Sequence, residues 1–242
     1  MLDGQVAVVT GAARGIGRYA ALSFARQGVT KLGLADVDAD ALAKVARELE
    51  ELDVEVLPIR TDVRDEAQVA AMVEQVVARF GRIDILLNDA GIVPHFQWGT
   101  PRWPAIRDMD KSFWDRVLDT NLDGTMLCTK HVLPHMEAQG GGHVLTMHGG
   151  GGGVGAAAYV VSKDAIRTFS RFVAVEEQDK NICVLAISPS GAIATEDAPE
   201  EARQRMPSPE SLGDLFVLAA RAPMNISGNV VTLKEGRLEV VS

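Results

Sequence analysis

The feature that most constrains the fold lies near the amino terminus, where an apolar run meets a glycine-rich turn and a helical pattern. Residues 5–10 read QVAVVT, a β-rich run typical of a buried parallel strand. Residues 11–17 read GAARGIG, and residues 18–27 then show helical periodicity that stops before Gly28. Glycines in such a turn let the backbone approach a pyrophosphate at the helix amino terminus, where free N–H groups attract anions.

Further strands and helices alternate along the rest of the chain. The predicted later strands cover residues 31–35, 54–60, 83–87, 142–147, 182–187 and 228–233. The predicted later helices cover residues 39–51, 66–80, 111–136, 156–178 and 208–220. Unbroken alternation favours right-handed crossovers and one parallel sheet. No linker, repeat or low-complexity boundary interrupts it, so residues 1–242 are predicted to form a single domain.

The second predicted strand ends at Asp36, nineteen residues after Gly17. A carboxylate at this position suits the two hydroxyls of an adenosine ribose and repels a 2′-phosphate, which favours NAD over NADP. Asp38 adds to the repulsion, whereas Arg14 is a cation that could meet a phosphate. The alternative is that Asp36 serves only as the helix N-cap before residue 39.

Composition limits the classes of partner. The net charge of −9 and the absence of a Lys/Arg run argue against nucleic acid. No signal peptide or membrane-spanning apolar stretch is recognisable, so a cytoplasmic location is expected. Cys128 and Cys183 have no metal-ligand spacing; they are interpreted as buried thiols, and no metal site is predicted.

A tyrosine and a lysine four residues apart, Tyr159 and Lys163, lie on one face of a predicted helix. A lysine cation beside a phenol is expected to lower its pKa, which produces an acid/base group usable near neutral pH. A pair at this spacing is also common on solvated helix faces, so the pair by itself leaves both interpretations open.

Several motifs in order carry a resemblance to the short-chain dehydrogenase/reductase family over essentially the whole chain. They are Thr10 to Gly17, Asp62-Val63, Asn88-Asp89-Ala90-Gly91, Asn121, Tyr159 to Lys163, and Pro189 to Thr195. The resemblance implies an α/β, Rossmann-type doubly wound fold with a seven-stranded parallel sheet. It also implies an NAD-dependent oxidoreductase that interconverts a hydroxyl and a carbonyl on a small organic substrate by hydride transfer.

The resemblance assigns roles to individual residues. Tyr159 transfers the proton, Lys163 holds the nicotinamide ribose and tunes Tyr159, and Asn121 helps to hold a water in the relay. The implied cofactor-binding residues are Gly11, Arg14, Gly15, Ile16, Gly17, Asp36, Asp62, Val63, Asn88, Ala90, Gly91, Tyr159, Lys163, Pro189, Ile193 and Thr195. A homodimer or homotetramer is expected to form through the two long helices.

The chain departs from the family at the catalytic serine. Alignment of the fifth strand places Gly149 where that serine usually lies. His148 could supply the missing hydrogen bond, since a neutral imidazole carries one N–H. Thr146 shares its face of the strand but lies further from the carboxyl end. A strand-end histidine without any role is the other alternative.

Two smaller departures, at Asp89 and at residues 198–206, and one long loop concern the surroundings of the site. Asp89 replaces the family's usual second asparagine, which is expected to alter local hydrogen bonding. Residues 92–110, with His95 and several aromatics, form a long loop that could be a substrate wall or a surface flap. The stretch 198–206 is too short for the usual two-helix lid.

Two other functions remain open from the sequence alone. A cofactor-binding protein with weak or no turnover, acting as a sensor or assembly subunit, is favoured by the missing serine, the glycine run and the short lid. A dehalogenase-like use of the fold without cofactor is disfavoured by the intact glycine turn and Asp36. The substrate, the physiological direction and the choice between dimer and tetramer are not determined by these motifs.

Overall fold

The computed structural model describes residues 1–93, 104–149, 155–196, 198 and 200–241. The strands are β1 Val6–Thr10, β2 Lys31–Asp36, β3 Glu55–Arg60, β4 Ile85–Asn88, β5 Gly142–Met147, β6 Ile182–Ile187, β7 Val230–Lys234 and β8 Arg237–Val241. The α-helices are α1 Gly15–Arg26, α2 Ala39–Glu50, α3 Glu66–Phe80, α4 Lys111–Leu118, α5 Gly124–Gln139, α6 Ala157–Glu176, α7 Glu200–Arg203 and α8 Leu215–Ala219. Part of the long loop, including His95, and most of the glycine run lie outside the described residues.

The strands form one sheet in the order β3-β2-β1-β4-β5-β6-β7-β8, which confirms the doubly wound α/β fold. The order reverses between β1 and β4, and ligands of such sheets bind outside the carboxyl ends of the strands at this reversal. Apolar side chains from both faces of the central strands are buried in two clusters, one under each helical layer. The described helices include none that is long and apolar enough to cross a membrane.

The prediction of seven parallel strands is wrong in one respect, because an eighth strand pairs antiparallel to β7. Glu235 and Gly236 join the two strands with φ values of 50° and 74°. Two left-handed residues in a two-residue loop match the hairpin turn whose twist suits antiparallel strands. The signal was present in the sequence as a glycine within an otherwise strand-like carboxyl terminus.

Two predicted long helices are interrupted. The helix predicted over 111–136 consists of α4, a π-helical turn at Asp119–Asp123, and α5, which continues to Gln139. The helix predicted over 208–220 is a 3₁₀ turn, Pro209–Leu212, followed by the short α8. Gly213 separates the two with φ 49° and ψ −133°, a conformation outside the helical region. The hydrophobic periodicity of the sequence alone does not reveal such local breaks in a helix.

Candidate active site

A cavity of about 870 Å³ opens at the carboxyl ends of the central strands. Most of the predicted site residues line it, namely Gly11, Arg14, Gly15, Ile16, Asp36, Asp62, Val63, Ala90, Gly91, His148, Tyr159, Lys163, Pro189, Ile193 and Thr195. Gly17, Asn88 and Asn121 do not line it. The sequence reasoning missed other lining residues, among them Arg64, Arg116, Thr120, Ser188, Ser190 and Met206.

The glycine turn packs too closely for side chains. A Cβ built on Gly17 would lie 2.3 Å from the Gly11 carbonyl oxygen. A Cβ built on Gly11, whose φ is +68°, would lie 2.8 Å from the backbone of Ala90. Both distances are far below van der Waals contact, so these positions require glycine. The turn thus brings the start of α1 against β1 and the end of β4, and its backbone faces the cavity.

We expect Gly17→Ala to destabilise the fold, because the added methyl group meets backbone rather than a movable side chain. The expected loss is about 2 kcal/mol or more, which corresponds to a fall in Tm of about 4–8 °C. Gly191→Ala is the matched control, since a Cβ there has no described heavy atom within 4 Å. Thermal unfolding followed by circular dichroism measures both; equal melting of Gly17→Ala and wild type would contradict the prediction.

The amino end of α1 already holds an anion supplied by the chain. The Gly15 N–H donates to the Glu196 carboxylate at 2.8 Å, and Arg18 lies 3.9 Å from the same carboxylate. Glu196 is half-exposed on the segment that follows β6. A negatively charged group therefore fits this helix end, as a dinucleotide pyrophosphate requires. The residues present fit such a cofactor.

Asp36 lies at the end of β2 and is not the cap of α2. Asp38 caps that helix by accepting from the Ala41 N–H, so the N-cap interpretation of Asp36 is wrong. The Asp36 carboxylate accepts from the N–H groups of Ala13 and Asp38, both at 3.0 Å. These bonds hold the carboxylate at the mouth of the glycine turn, in the cavity wall.

Tyr159 and Lys163 project from α6 into the far end of the cavity. The Lys163 ammonium lies 5.7 Å from the Tyr159 ring centre and donates to the Met147 carbonyl at 2.9 Å. Burial raises the pKa of Tyr159 to about 12, and the charge of Asp89 acts in the same direction. The expectation of a lowered phenol pKa is therefore wrong for the chain by itself, because burial and the nearby charge of Asp89 both favour the neutral phenol.

The three residues considered for the missing serine have different surroundings. Thr146 is fully buried, and its hydroxyl is 2.7 Å from that of Ser170, away from the cavity. His148 lines the cavity, with Nδ1 3.0 Å from the Lys163 carbonyl oxygen. A Cβ built on Gly149 would lie 3.0 Å from the Tyr159 hydroxyl.

The His148 contact fixes the tautomer of its ring. A carbonyl oxygen only accepts, so Nδ1 carries the hydrogen, and in the neutral ring Nε2 has a lone pair instead of an N–H. Only the imidazolium form then has a second N–H for a substrate oxygen. The expectation that neutral His148 is the donor is therefore wrong for this arrangement.

Asn121 and Asn88 act behind the cavity wall. The fully buried Asn121 amide accepts from the Ile92 N–H at 2.7 Å and donates to the Ser162 hydroxyl at 3.1 Å. It lies in the π-helical turn and links the segment after β4 to α6, which carries the tyrosine and lysine. The Asn88 amide donates to Thr129 at 3.2 Å. Asn121 thus positions the loop after β4, and Asn88 ties the end of β4 to α5.

Asp89 is a site residue whose importance the sequence signalled only as an unusual substitution. Its carboxylate lines the cavity and accepts from the Gly17 N–H. Burial raises its pKa to about 7, although the charge of Lys163 acts to lower it. The proximity of Asp89 to Lys163 joins residues 74 positions apart and is not visible in local sequence.

The fold and cavity define a dinucleotide-binding protein, and comparison with known proteins identifies its family. Residues 5–205 match the family model for short chain dehydrogenases. The chain is 32% identical to 3-oxoacyl-(acyl-carrier-protein) reductase FabG of Thermotoga maritima, over 97% of this chain and 98% of that protein. It is 34% identical to cis-4-hydroxycyclohexanecarboxylate dehydrogenase of Sinomonas cyclohexanicum, over 96% of each.

Solved structures agree with these relatives. A short-chain type dehydrogenase/reductase from Mycobacterium marinum superimposes with a TM-score of 0.85 at 32% identity, covering 97% of this chain and 95% of that one. A 7α-hydroxysteroid dehydrogenase complexed with NADH and 7-oxo glycochenodeoxycholic acid gives a TM-score of 0.84 at 28% identity, covering 99% and 97%. The chain belongs to the short-chain dehydrogenase/reductase family. It is an oxidoreductase that acts on CH–OH donors with a nicotinamide dinucleotide.

Proposed function

We propose that the protein is an NAD-preferring dehydrogenase/reductase that interconverts a hydroxyl and a carbonyl on a small organic substrate. The observation that carries this proposal is the shared cavity, with Asp36 and the glycine turn at one end and Tyr159 with Lys163 at the other. An adenosine ribose at Asp36 would direct the nicotinamide along the strand ends to Tyr159. An assay of NADH oxidation against a panel of small ketones, with NAD and alcohols for the reverse direction, tests it.

The bound nicotinamide would supply the hydride, and this chain's residues bind, orient and move the proton. Tyr159 is the proton donor in carbonyl reduction, since its raised pKa keeps the hydroxyl protonated in the chain itself. Lys163 holds the ribose beside it, and Asn121 positions the helix that carries both. His148 as imidazolium donates to the substrate oxygen. A weakly active sensor is less well supported, since the named relatives are dehydrogenases and reductases.

The preference for NAD follows from the charge and anchoring of Asp36. Its carboxylate is held by two backbone N–H groups and has no described cation in an ion pair with it. A 2′-phosphate at this ribose would therefore meet an unneutralised negative charge. Arg14 also lines the cavity, but it belongs to the turn over the pyrophosphate.

We expect NADH to bind at least about tenfold more tightly than NADPH, the scale of a single unfavourable charge contact. Asp36→Asn should narrow the ratio, because it removes the charge and keeps an acceptor for the Ala13 N–H. Asp36→Ala should also narrow the NADH-to-NADPH affinity ratio, but it removes the acceptor for the Ala13 N–H in the glycine turn as well. Titration of protein fluorescence with each cofactor measures the ratio. Equal or tighter binding of NADPH by the wild type would overturn the assignment.

We propose a homo-oligomer assembled through α6. This helix exposes Val161, Phe172 and Val175 with 44%, 56% and 65% of their surface accessible. Large apolar side chains are uncommon on a free helix face, and together they favour a protein–protein contact.

A further inference from the structure

The carboxylate of Asp89 is held in a defined place between β4 and α1. Its own N–H and that of Ala90 donate to the Thr10 hydroxyl, both at 3.2 Å, which anchors the backbone to β1. Its Oδ2 lies 2.9 Å from the position that a Cβ on Gly17 would take, and the Gly17 N–H donates to the carboxylate. The side chain is therefore fixed at the start of α1 and faces the cavity.

Lys163 is buried beside this carboxylate. β4 and β5 pair with Asn88 next to Thr146, so Asp89 and Met147 are neighbours where the two strands end, and the Lys163 ammonium bonds to the Met147 carbonyl. Its side chain is on α6, and 7% of its surface is accessible. The described hydrogen bond of its ammonium is to a neutral group, the Met147 carbonyl. A buried ammonium needs a counter-charge as well as hydrogen bonds to remain charged. Burial lowers the pKa of Lys163 to about 8, and the charge of Asp89 opposes this fall.

The other charged and titratable groups around this pair do not replace Asp89. Asp36, at the end of β2, acts on Asp89 by repulsion and raises its pKa. The Tyr159 hydroxyl is neutral near pH 7, and His148 contacts the Lys163 backbone carbonyl instead of its ammonium. Arg14 lines the cavity at the glycine turn and adds positive charge. Among the described groups, the negative charge that acts on Lys163 is that of Asp89.

We propose that Asp89 is a positioning residue that keeps Lys163 charged and directed into the cavity. The pair spans the site between α1 and α6, with Asp89 held by the helix amide and Lys163 by the strand carbonyl. The effect of Asp89 on the charge of Lys163 is a property of the chain without cofactor. The consequence for cofactor binding rests on the proposed function, in which the Lys163 ammonium holds the nicotinamide ribose.

The direct test measures the ionisation of Lys163 without cofactor. Protein labelled with ¹³C at lysine Cε is titrated between pH 5 and 11 by NMR, and Lys163→Met identifies the signal by its loss. We expect Asp89→Asn to lower the midpoint of Lys163 by about one unit or more, the effect of losing one nearby opposite charge. Asparagine keeps the shape of the side chain and an acceptor for the Gly17 N–H.

Two controls separate this effect from a change of fold or net charge. Asp40→Asn removes one carboxylate from the exposed first turn of α2 and should leave the midpoint unchanged. If Asp89→Asn does not fold, Asp89→Ser provides the same loss of charge. An unchanged Lys163 midpoint in a folded Asp89 variant would overturn the proposal.

The affinity for NADH is a second measurement, and the proposal predicts the direction in which Asp89→Asn changes it. At pH 6 the wild type and Asp89→Asn should bind NADH equally, because Asp89 is then mostly protonated. At pH 8 Asp89→Asn should bind NADH about fivefold more weakly, since a pKa of Lys163 lowered by about one unit leaves a smaller fraction of its side chain charged. Tighter binding at pH 8 would show that Asp89 repels the cofactor. Failure of wild type to bind either nicotinamide at pH 6 would refute the proposed function and leave the NMR result standing.

Discussion

Tyr159→Phe is expected to reduce turnover by at least about 10³-fold while cofactor affinity changes by less than about tenfold. The substitution removes one hydroxyl and keeps the ring that packs beside the Lys163 ammonium. The raised pKa of the hydroxyl means that it carries its proton throughout the neutral range and is the donor for reduction. Steady-state kinetics and fluorescence titration of NADH give the two numbers separately.

The chain provides a matched control in Tyr19, its other tyrosine. The Tyr19 hydroxyl lies 3.4 Å and 3.3 Å from the Glu210 and Gly213 carbonyl oxygens, outside the cavity wall. Tyr19→Phe should therefore keep wild-type turnover. Lys163→Ala should lose both turnover and affinity. Substantial activity in Tyr159→Phe would mean that the proton comes from another group, and His148 would be the first to examine.

His148→Ala is expected to lower kcat for carbonyl reduction by about 10²-fold, the scale of one lost donor to a developing oxyanion. His148→Asn is the matched variant, because its amide can still donate to the Lys163 carbonyl but has no counterpart of Nε2. We expect both variants to lose kcat to the same extent.

Gly149→Ser tests whether a serine hydroxyl at the family's usual position can replace the hydrogen bond that His148 is proposed to donate. A Cβ there comes within 3.0 Å of the Tyr159 hydroxyl, and Gly149 does not have the left-handed φ that would exclude a side chain. Added to His148→Ala, the serine should restore turnover, after a shift of a few tenths of an ångström by Tyr159. Thr146→Ala should leave kcat unchanged, since Thr146 is bonded to Ser170. A wild-type kcat in His148→Ala would exclude His148 as donor.

Local sequence alone determined the strands, helices and turns that surround the site. The bounds of α3, β5 and β6 were predicted to the residue. Asp65 caps α3 and Gly81 closes it, glycines precede β5, and a continuous apolar run forms β6. The glycine turn and Asp36 were placed in the cavity for the same reason: a strand end and a helix start follow from a few consecutive residues.

Tertiary structure decided the protonation and the charged neighbours of the residues in the site. The direction of the Tyr159 pKa depends on burial and on Asp89, and the tautomer of His148 depends on the Lys163 carbonyl. The anion on Gly15 comes from Glu196, 181 residues away. Desolvation and charge act through distance in space, which residue type and spacing do not encode. The motifs could therefore name Tyr159 and Lys163, whereas only the packed chain showed which groups face them.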